Sequence, residues 1–341
     1  MKTKNLTVLA VVAAVLGLAA YFVGSGSRPA AAKLNGKSIL PDLSVADVSR
    51  VEIGTNLVLA SSAEGWKIES LHGYPADRDK IADNLLKLAE LKVGQVARGR
   101  KLGSETAVTL KDAFGKELAS LKLGDKHSKK ASGQAAMYGG GYPDGRYVAF
   151  EGETVLVKDS LDAFDGDAKK WCNTRIASIS SSDVTAVKFS HGGETVELEK
   201  GTNSTWTLKG LGPKEELDTS KTYSLDSALS YLDFNSVADP KLTEADLGFS
   251  TGYVYTVTVK SGESNTVTRT ATVGNKVKDG SDRYVKLDDG KWVFAISSYS
   301  AESMMKTRKD LVKEKKEEPK KDEKKDEKKS EKKSDKEEKK S

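Results

Sequence analysis

Cysteine is nearly absent: Cys172 is the one thiol in 341 residues, alongside three histidines and seven prolines. One thiol closes no intramolecular disulfide, so cysteine usage leaves the redox compartment open. Cys172 reads as a small buried apolar residue. His72, His127 and His191 stand alone, without metal-ligand spacing and without a second cysteine to help. No Gly-x-Ser-x-Gly turn occurs, so the commonest serine-hydrolase signature is missing. Gly139 to Gly141 lead into Tyr142-Pro143-Asp144-Gly145 without the lysine and hydroxyl of a phosphate loop, and read as a turn. Asp159, Asp162, Asp165 and Asp167 cluster, but they depart from the alternating ligands, central glycine and distal Glu of a calcium loop; caps and turns are the expected roles. No catalytic, metal-binding or cofactor-binding residue can be named. An enzyme would need carboxylates or histidines gathered from distant strands.

Charge of one sign is also scarce in the body. The formal net charge is +5. Lys2, Lys4, Arg28 and Lys33 carry part of it, and the tail from Lys313 to Ser341 holds 14 Lys against 11 acids. The rest is close to neutral, which leaves no clustered basic face for nucleic acid.

Two features are present at the ends. Behind Lys2 and Lys4, Leu6 to Val23 is apolar except for Thr7. Such a run spans about 27 Å as a helix, close to the hydrocarbon thickness of a bilayer. It has no polar face, unlike a soluble core helix. The expectation is a retained single-pass anchor with the body extracytoplasmic; a cleaved signal ending at Ala30-Ala31-Ala32 is the alternative. Arg28, Lys33 and Lys37 follow the run, so positive charge alone does not orient it. The tail repeats Lys-Lys-Asp-Glu and has no apolar residue to bury, so it is expected to be disordered. It is a solubilising segment or one that holds an anionic envelope polymer.

Between the ends the sequence repeats itself. Asp47-Val48-Ser49-Arg50-Val51 returns as Asp183-Val184-Thr185-Ala186-Val187, and Trp66-Lys67-Ile68 as Trp206-Thr207-Leu208. Leu102-Gly103 returns as Leu247-Gly248, Val108-Thr109-Leu110 as Val257-Thr258-Val259, and Arg146-Tyr147-Val148 as Arg283-Tyr284-Val285. Thr174-Arg175 and Thr307-Arg308 close the copies, and the order never changes. Alternating apolar residues predict strands over 107–110, 118–123, 147–150 and 155–157, and over 253–259, 267–273, 284–287 and 292–296. Ile81, Leu85, Leu88 and Leu91 recur at helical spacing after Asp77, a plausible N-cap. Leu225, Ala228, Leu229 and Leu232 predict the matching helix, and a short helix ends each copy. Trp66 and Trp206 are read as core against these helices.

The expected fold is therefore α+β: two tandem related modules, each a mostly antiparallel sheet with one main helix, after an N-terminal transmembrane helix. The boundaries are 1–33 for anchor and linker, 34–178 and 179–312 for the repeats, and 313–341 for the tail.

The Asp-Val strand, the Trp-bearing strand, the Pro-Ala-Asp helix start at Pro75, the Leu-Gly strand and the closing Arg together resemble the domain of unknown function 4340 family, across roughly 34–312. The resemblance implies a single-pass membrane protein. Through members that accompany gliding-type ABC transport components, it also implies an accessory role with transporter subunits. It carries no active site.

One stretch departs from the duplication. Between Gly124 and Arg146 the first copy is 13 residues longer than the second. This loop contains Lys126, His127, Lys129, Lys130, Met137, Tyr138 and Tyr142. Long loops on rigid scaffolds often bind, so these residues form the candidate binding loop, with envelope polymer or solute as its ligand.

Overall fold

The computed structural model describes residues 33–129, 141–262, 265–288 and 290–315. The apolar run, most of the Lys-rich tail, Lys130, Met137 and Tyr138 lie outside the described residues.

In the first unit, β1 (Arg50–Ile53), β2 (Leu57–Ser62) and β3 (Gly65–Ile68) form a meander that continues into β4 (Tyr74–Pro75). The helix α1 (Arg78–Ala89) follows, capped by Asp77, whose Oδ1 accepts from the N–H groups of Asp79 (3.0 Å) and Lys80 (3.3 Å). Then come β5 (Gln95–Val96), β6 (Thr106–Lys111), β7 (Glu117–Ser128), β8 (Pro143–Phe150) and β9 (Glu153–Val157). The sheet order is β4-β3-β2-β1-β6-β7-β8-β9-β5, with antiparallel pairs throughout.

The second unit enters on β10 (Arg175–Ala177) and continues through β11 (Val184–His191), β12 (Glu194–Lys200), β13 (Trp206–Leu208) and β14 (Glu215–Leu217). Next are β15 (Leu232–Asp233), β16 (Ser236–Val237), β17 (Tyr253–Lys260) and β18 (Thr266–Lys276). The unit closes with β19 (Arg283–Leu287), β20 (Val293–Ile296) and β21 (Val312–Glu314). Its main sheet runs β13-β12-β11-β17-β18-β19-β20-β16, which repeats the first sheet strand for strand without β4. The duplication is thus visible in topology as well as in sequence.

Four details differ from the sequence reading. The matching helix of the second unit does not form: residues 223–230 are successive turns, with Leu225, Leu229 and Leu232 still buried. Ser224, Ser227 and Ser230 recur every third residue, and Ser227 Oγ donates to the carbonyl of Ser224 (3.1 Å), a local bond that competes with the helical ladder. The correspondence at the central strands is shifted by two residues. Val51 faces Leu110 across β1 and β6, and Val187 faces Val257 across β11 and β17, so Leu110 matches Val257 and Val108 matches Tyr255. Arg175–Ala177 pairs with Leu232–Asp233, as Ser38 pairs with Lys92 in the first unit, so these residues before 179 already serve the second fold. Trp66 and Trp206 are half-buried at the margin of the core, while Trp171 is fully enclosed.

Alternation along the strands places Val51, Ile53, Leu59, Val108 and Leu110 at 2% exposure or less, in one cluster with Ile81, Leu85 and Leu88 of α1. That cluster is continuous with the core of the second unit. Tyr74 is its visible joint: the ring meets Phe234 and Trp292 edge-on at 5.2 Å each and Phe294 at 5.8 Å. On the first unit's side of this joint, Asp77 N–H donates to the Trp171 carbonyl (2.7 Å) and Lys80 Nζ to the Cys172 carbonyl (2.6 Å), and Phe234 N–H reaches back to the Thr174 carbonyl (3.0 Å).

Candidate functional site

The extra residues between Gly124 and Arg146 extend a hairpin. Lys126 pairs in register with Arg146 and His127 with Gly145, so both lie on β7 rather than in a loop. Extended backbone fixes their direction, and both are already occupied. Lys126 Nζ donates to Asp165 (2.6 Å) and pairs also with Asp162. Burial works to lower the Lys126 pKa, but the bonds to the two carboxylates together outweigh it and raise the value. Asp162 is correspondingly held below the usual carboxylate range, chiefly by the hydrogen bond from Lys126. His127 Nδ1 lies 2.5 Å from Asp144 Oδ1, and its ring meets Tyr147 edge-on at 6.0 Å. Lys129 and Tyr142 remain exposed, Tyr142 at 88%. The hairpin therefore presents Lys129 and the Tyr142 ring freely, while Lys126 and His127 are engaged by carboxylates.

At the root of this hairpin sits a residue whose role the sequence did not disclose. Arg146 is 5% exposed, the one buried charged side chain among the described residues. Its Nε donates to the Gly124 carbonyl (2.9 Å), and its Nη1 to Asp165 Oδ1 (2.7 Å) and the Leu161 carbonyl (3.2 Å). A planar fork with several donors suits that set of acceptors. Its recurrence as Arg283, directly before Tyr-Val in both copies, was the available signal. Arg283 Nη1 donates to the Gly274 carbonyl (2.8 Å), the counterpart of Gly124.

The same place explains the recurring Leu-Gly. A Cβ on Gly124 would lie 2.2 Å from the Leu102 carbonyl oxygen, and one on Gly274 would lie 2.0 Å from that of Leu247. Gly103 and Gly248 adopt φ of +83° and +69°, which glycine tolerates without strain. Each turn is tied by the residue after the strand glycine: Asp125 Oδ1 accepts from Ser104 N–H (3.1 Å), and Asn275 Nδ2 donates to the carbonyl of Ala245 (3.0 Å). In each unit this clasp holds two chain segments in van der Waals contact.

The acidic cluster is divided among structural tasks. Asp159 accepts from Leu161 N–H (2.7 Å), Asp165 binds Arg146 and Lys126, and Asp167 caps the turn at Lys169 N–H (3.0 Å). Among the described residues no group of three or more His, Cys, Asp or Glu is placed to hold a metal ion. Cys172 is fully buried, and that burial pushes its thiol up to about 11, so little thiolate exists at neutral pH. His72 and His191 do not join His127: His191 stacks on Tyr253 at 3.6 Å, and His72 lies in a turn after β3. Among the described residues no helix is long and apolar enough to cross a membrane.

Neither the curated proteins nor the solved structures contain a match to this chain. The family model described as domain of unknown function (DUF4340) matches twice, over residues 66–250 and 242–323. The first match runs from β3 through β16 and the second takes in β17 to β21, so together they span most of both sheets. On that coverage the chain belongs to the domain of unknown function 4340 family.

Proposed function

We propose that this protein is a membrane-anchored accessory or scaffold protein without catalysis, its duplicated body standing on the extracytoplasmic side of a single N-terminal span. The apolar run from Leu6 to Val23 carries this reading, because its length suits a bilayer and it has no polar face. The joined aromatic core at Tyr74 supports it, since a spacer between partners benefits from two units that move together. Subunits of an ABC-type transport assembly are the partners that the family resemblance implies.

Fractionation followed by mild crosslinking tests the reading. The full-length chain should sediment with membranes and carry transporter subunits through purification. Its recovery in the soluble fraction removes the anchor; its recovery alone, from the membrane, removes the scaffold role.

Exposed Lys129 and Tyr142 at the end of the β7–β8 hairpin favour a second reading, in which that hairpin and the Lys-rich tail bind envelope polymer or a solute. Retention on isolated envelope polymer that fades as salt rises would single it out.

A further inference from the structure

Where the two units meet, they leave a cleft of about 440 Å³ that neither unit makes alone. Small-molecule sites are commonly found at such junctions and in this size range. Lys67 and His72 come from the first unit; Leu242, Leu247, Lys291 and Trp292 come from the second. Both walls are braced. Tyr74 meets the Trp292 ring edge-on at 5.2 Å, and Lys291 Nζ lies 5.3 Å from the ring centroid. Leu247 belongs to the clasp, its carbonyl pressed against Gly274. His72 (φ +56°) and Gly73 (φ +81°) are successive left-handed residues on the first wall, a conformation that a residue with a side chain adopts at a cost.

The charges in this cleft have a pattern. Asp239, the one acid on the lining, accepts a backbone hydrogen bond from Lys241 N–H (2.9 Å). The anion beside Lys67 comes instead from Glu64, in the β2–β3 turn, whose carboxylate lies 2.6 Å from Lys67 Nζ while 78% exposed. The bond from Lys67 holds the Glu64 carboxyl below its usual range, with a further pull from Lys291 across the junction. A solvent-exposed pair of this kind is weak and exchanges readily. The cation that lines the cleft, Lys67, is therefore paired only through an exposed carboxylate outside the lining.

We propose that this cleft binds a compact molecule with a planar apolar body and one anionic group, a carboxylate, sulfonate or phosphate. The body lies against Trp292, Leu242 and Leu247, and the anion replaces the Glu64 carboxylate on Lys67 within the field of Lys291. The site depends on the junction of the two units and not on the membrane anchor, so it stands or falls separately from the scaffold reading.

Fluorine NMR of the full chain in lipid nanodiscs, labelled with 5-fluorotryptophan, provides the test. The chain has four tryptophans, and Trp292→Phe identifies the resonance of interest. Naphthalene-1-sulfonate should shift that resonance saturably, while uncharged naphthalenemethanol should bind more weakly. Lys67→Glu with Lys291→Glu should weaken the sulfonate about tenfold through lost and reversed charge. Glu64→Gln should tighten it roughly threefold by removing the internal competitor. Lys291→Met replaces the double variant if the other three resonances report a disturbed fold. An unmoved Trp292 resonance, equal binding of the neutral probe, or weaker binding to Glu64→Gln overturns the proposal.

Discussion

Arg146 and Arg283 occupy equivalent places with unequal company, and the inequality sets their separate worth. Arg146 joins Gly124 and Leu161 carbonyls to Asp165, with almost no solvent access, whereas Arg283 donates to Gly274 from a half-buried position. Arg146→Ala would leave acceptors without their donor and should cost about 3 kcal/mol, in the range for breaking a buried pair. Arg283→Ala should cost about 1 kcal/mol, the net value of an ordinary hydrogen bond. Denaturant midpoints of the two variants measure the contrast, and equal losses would refute it. A second residue points the other way. Ser230 Oγ is buried without a partner among the described residues, so Ser230→Ala should stabilise by about 1 kcal/mol on the same assay. The sequence made Arg146 conspicuous by recurrence. It could not reveal the role, because Gly124, Leu161 and Asp165 come together only when β7, β8, β9 and the turn after β9 have folded.

Strands were read more reliably than helices, and the reason is local. Period-two alternation in Val108–Leu110 or Tyr253–Val257 survives because one face of each sheet is buried and the other is not. The apolar spacing at Leu225, Leu229 and Leu232 equally survives as burial, yet the chain there does not wind into a helix. Spacing specifies which side faces the core; the path the chain takes there also depends on local bonds such as that of Ser227 Oγ to the Ser224 carbonyl. The loop expected between Gly124 and Arg146 is corrected for a related reason: an insertion between two strands can lengthen the strands themselves, which places Lys126 and His127 on β7. Ion pairs between elements make a further expectation. Asp233 on β15 is held below the ordinary carboxylate range, first by the hydrogen bond from Arg175 on β10, and Asp162 likewise by Lys126. A depressed carboxyl stabilises the fold fully above its unfolded value and loses that contribution as pH falls through its folded one. Stability should therefore be level from neutral pH to about 5 and decline below about 4, where model carboxyl groups titrate. In Asp233→Asn that decline should be shallower; an identical acid profile would remove the pair from the account.

At the scale of the molecule, two copies of one sheet raise the question of whether they behave as one body. The duplication was legible in sequence because its markers, Leu-Gly, the strand glycine and Arg, are fixed by a backbone contact that admits no Cβ. The junction was not legible, since Tyr74 has no repeated counterpart and its partners, Phe234, Trp292 and Phe294, lie more than 150 residues away. The Tyr74 hydroxyl lies 3.5 Å from the Asn173 carbonyl, at the edge of hydrogen-bonding range, so the ring rather than the hydroxyl should carry the coupling. Tyr74→Phe should then leave the unfolding profile nearly unchanged. Tyr74→Ala removes an aromatic body at the joint and should cost on the order of 3 kcal/mol. Because that loss falls on the contact between units rather than within either core, calorimetry should resolve one transition into two. The cleft beside Trp292 should loosen with it, so naphthalene-1-sulfonate should protect wild type against heat and protect Tyr74→Ala far less. A single transition in Tyr74→Ala, merely moved to lower temperature, would place the coupling in the continuous core instead.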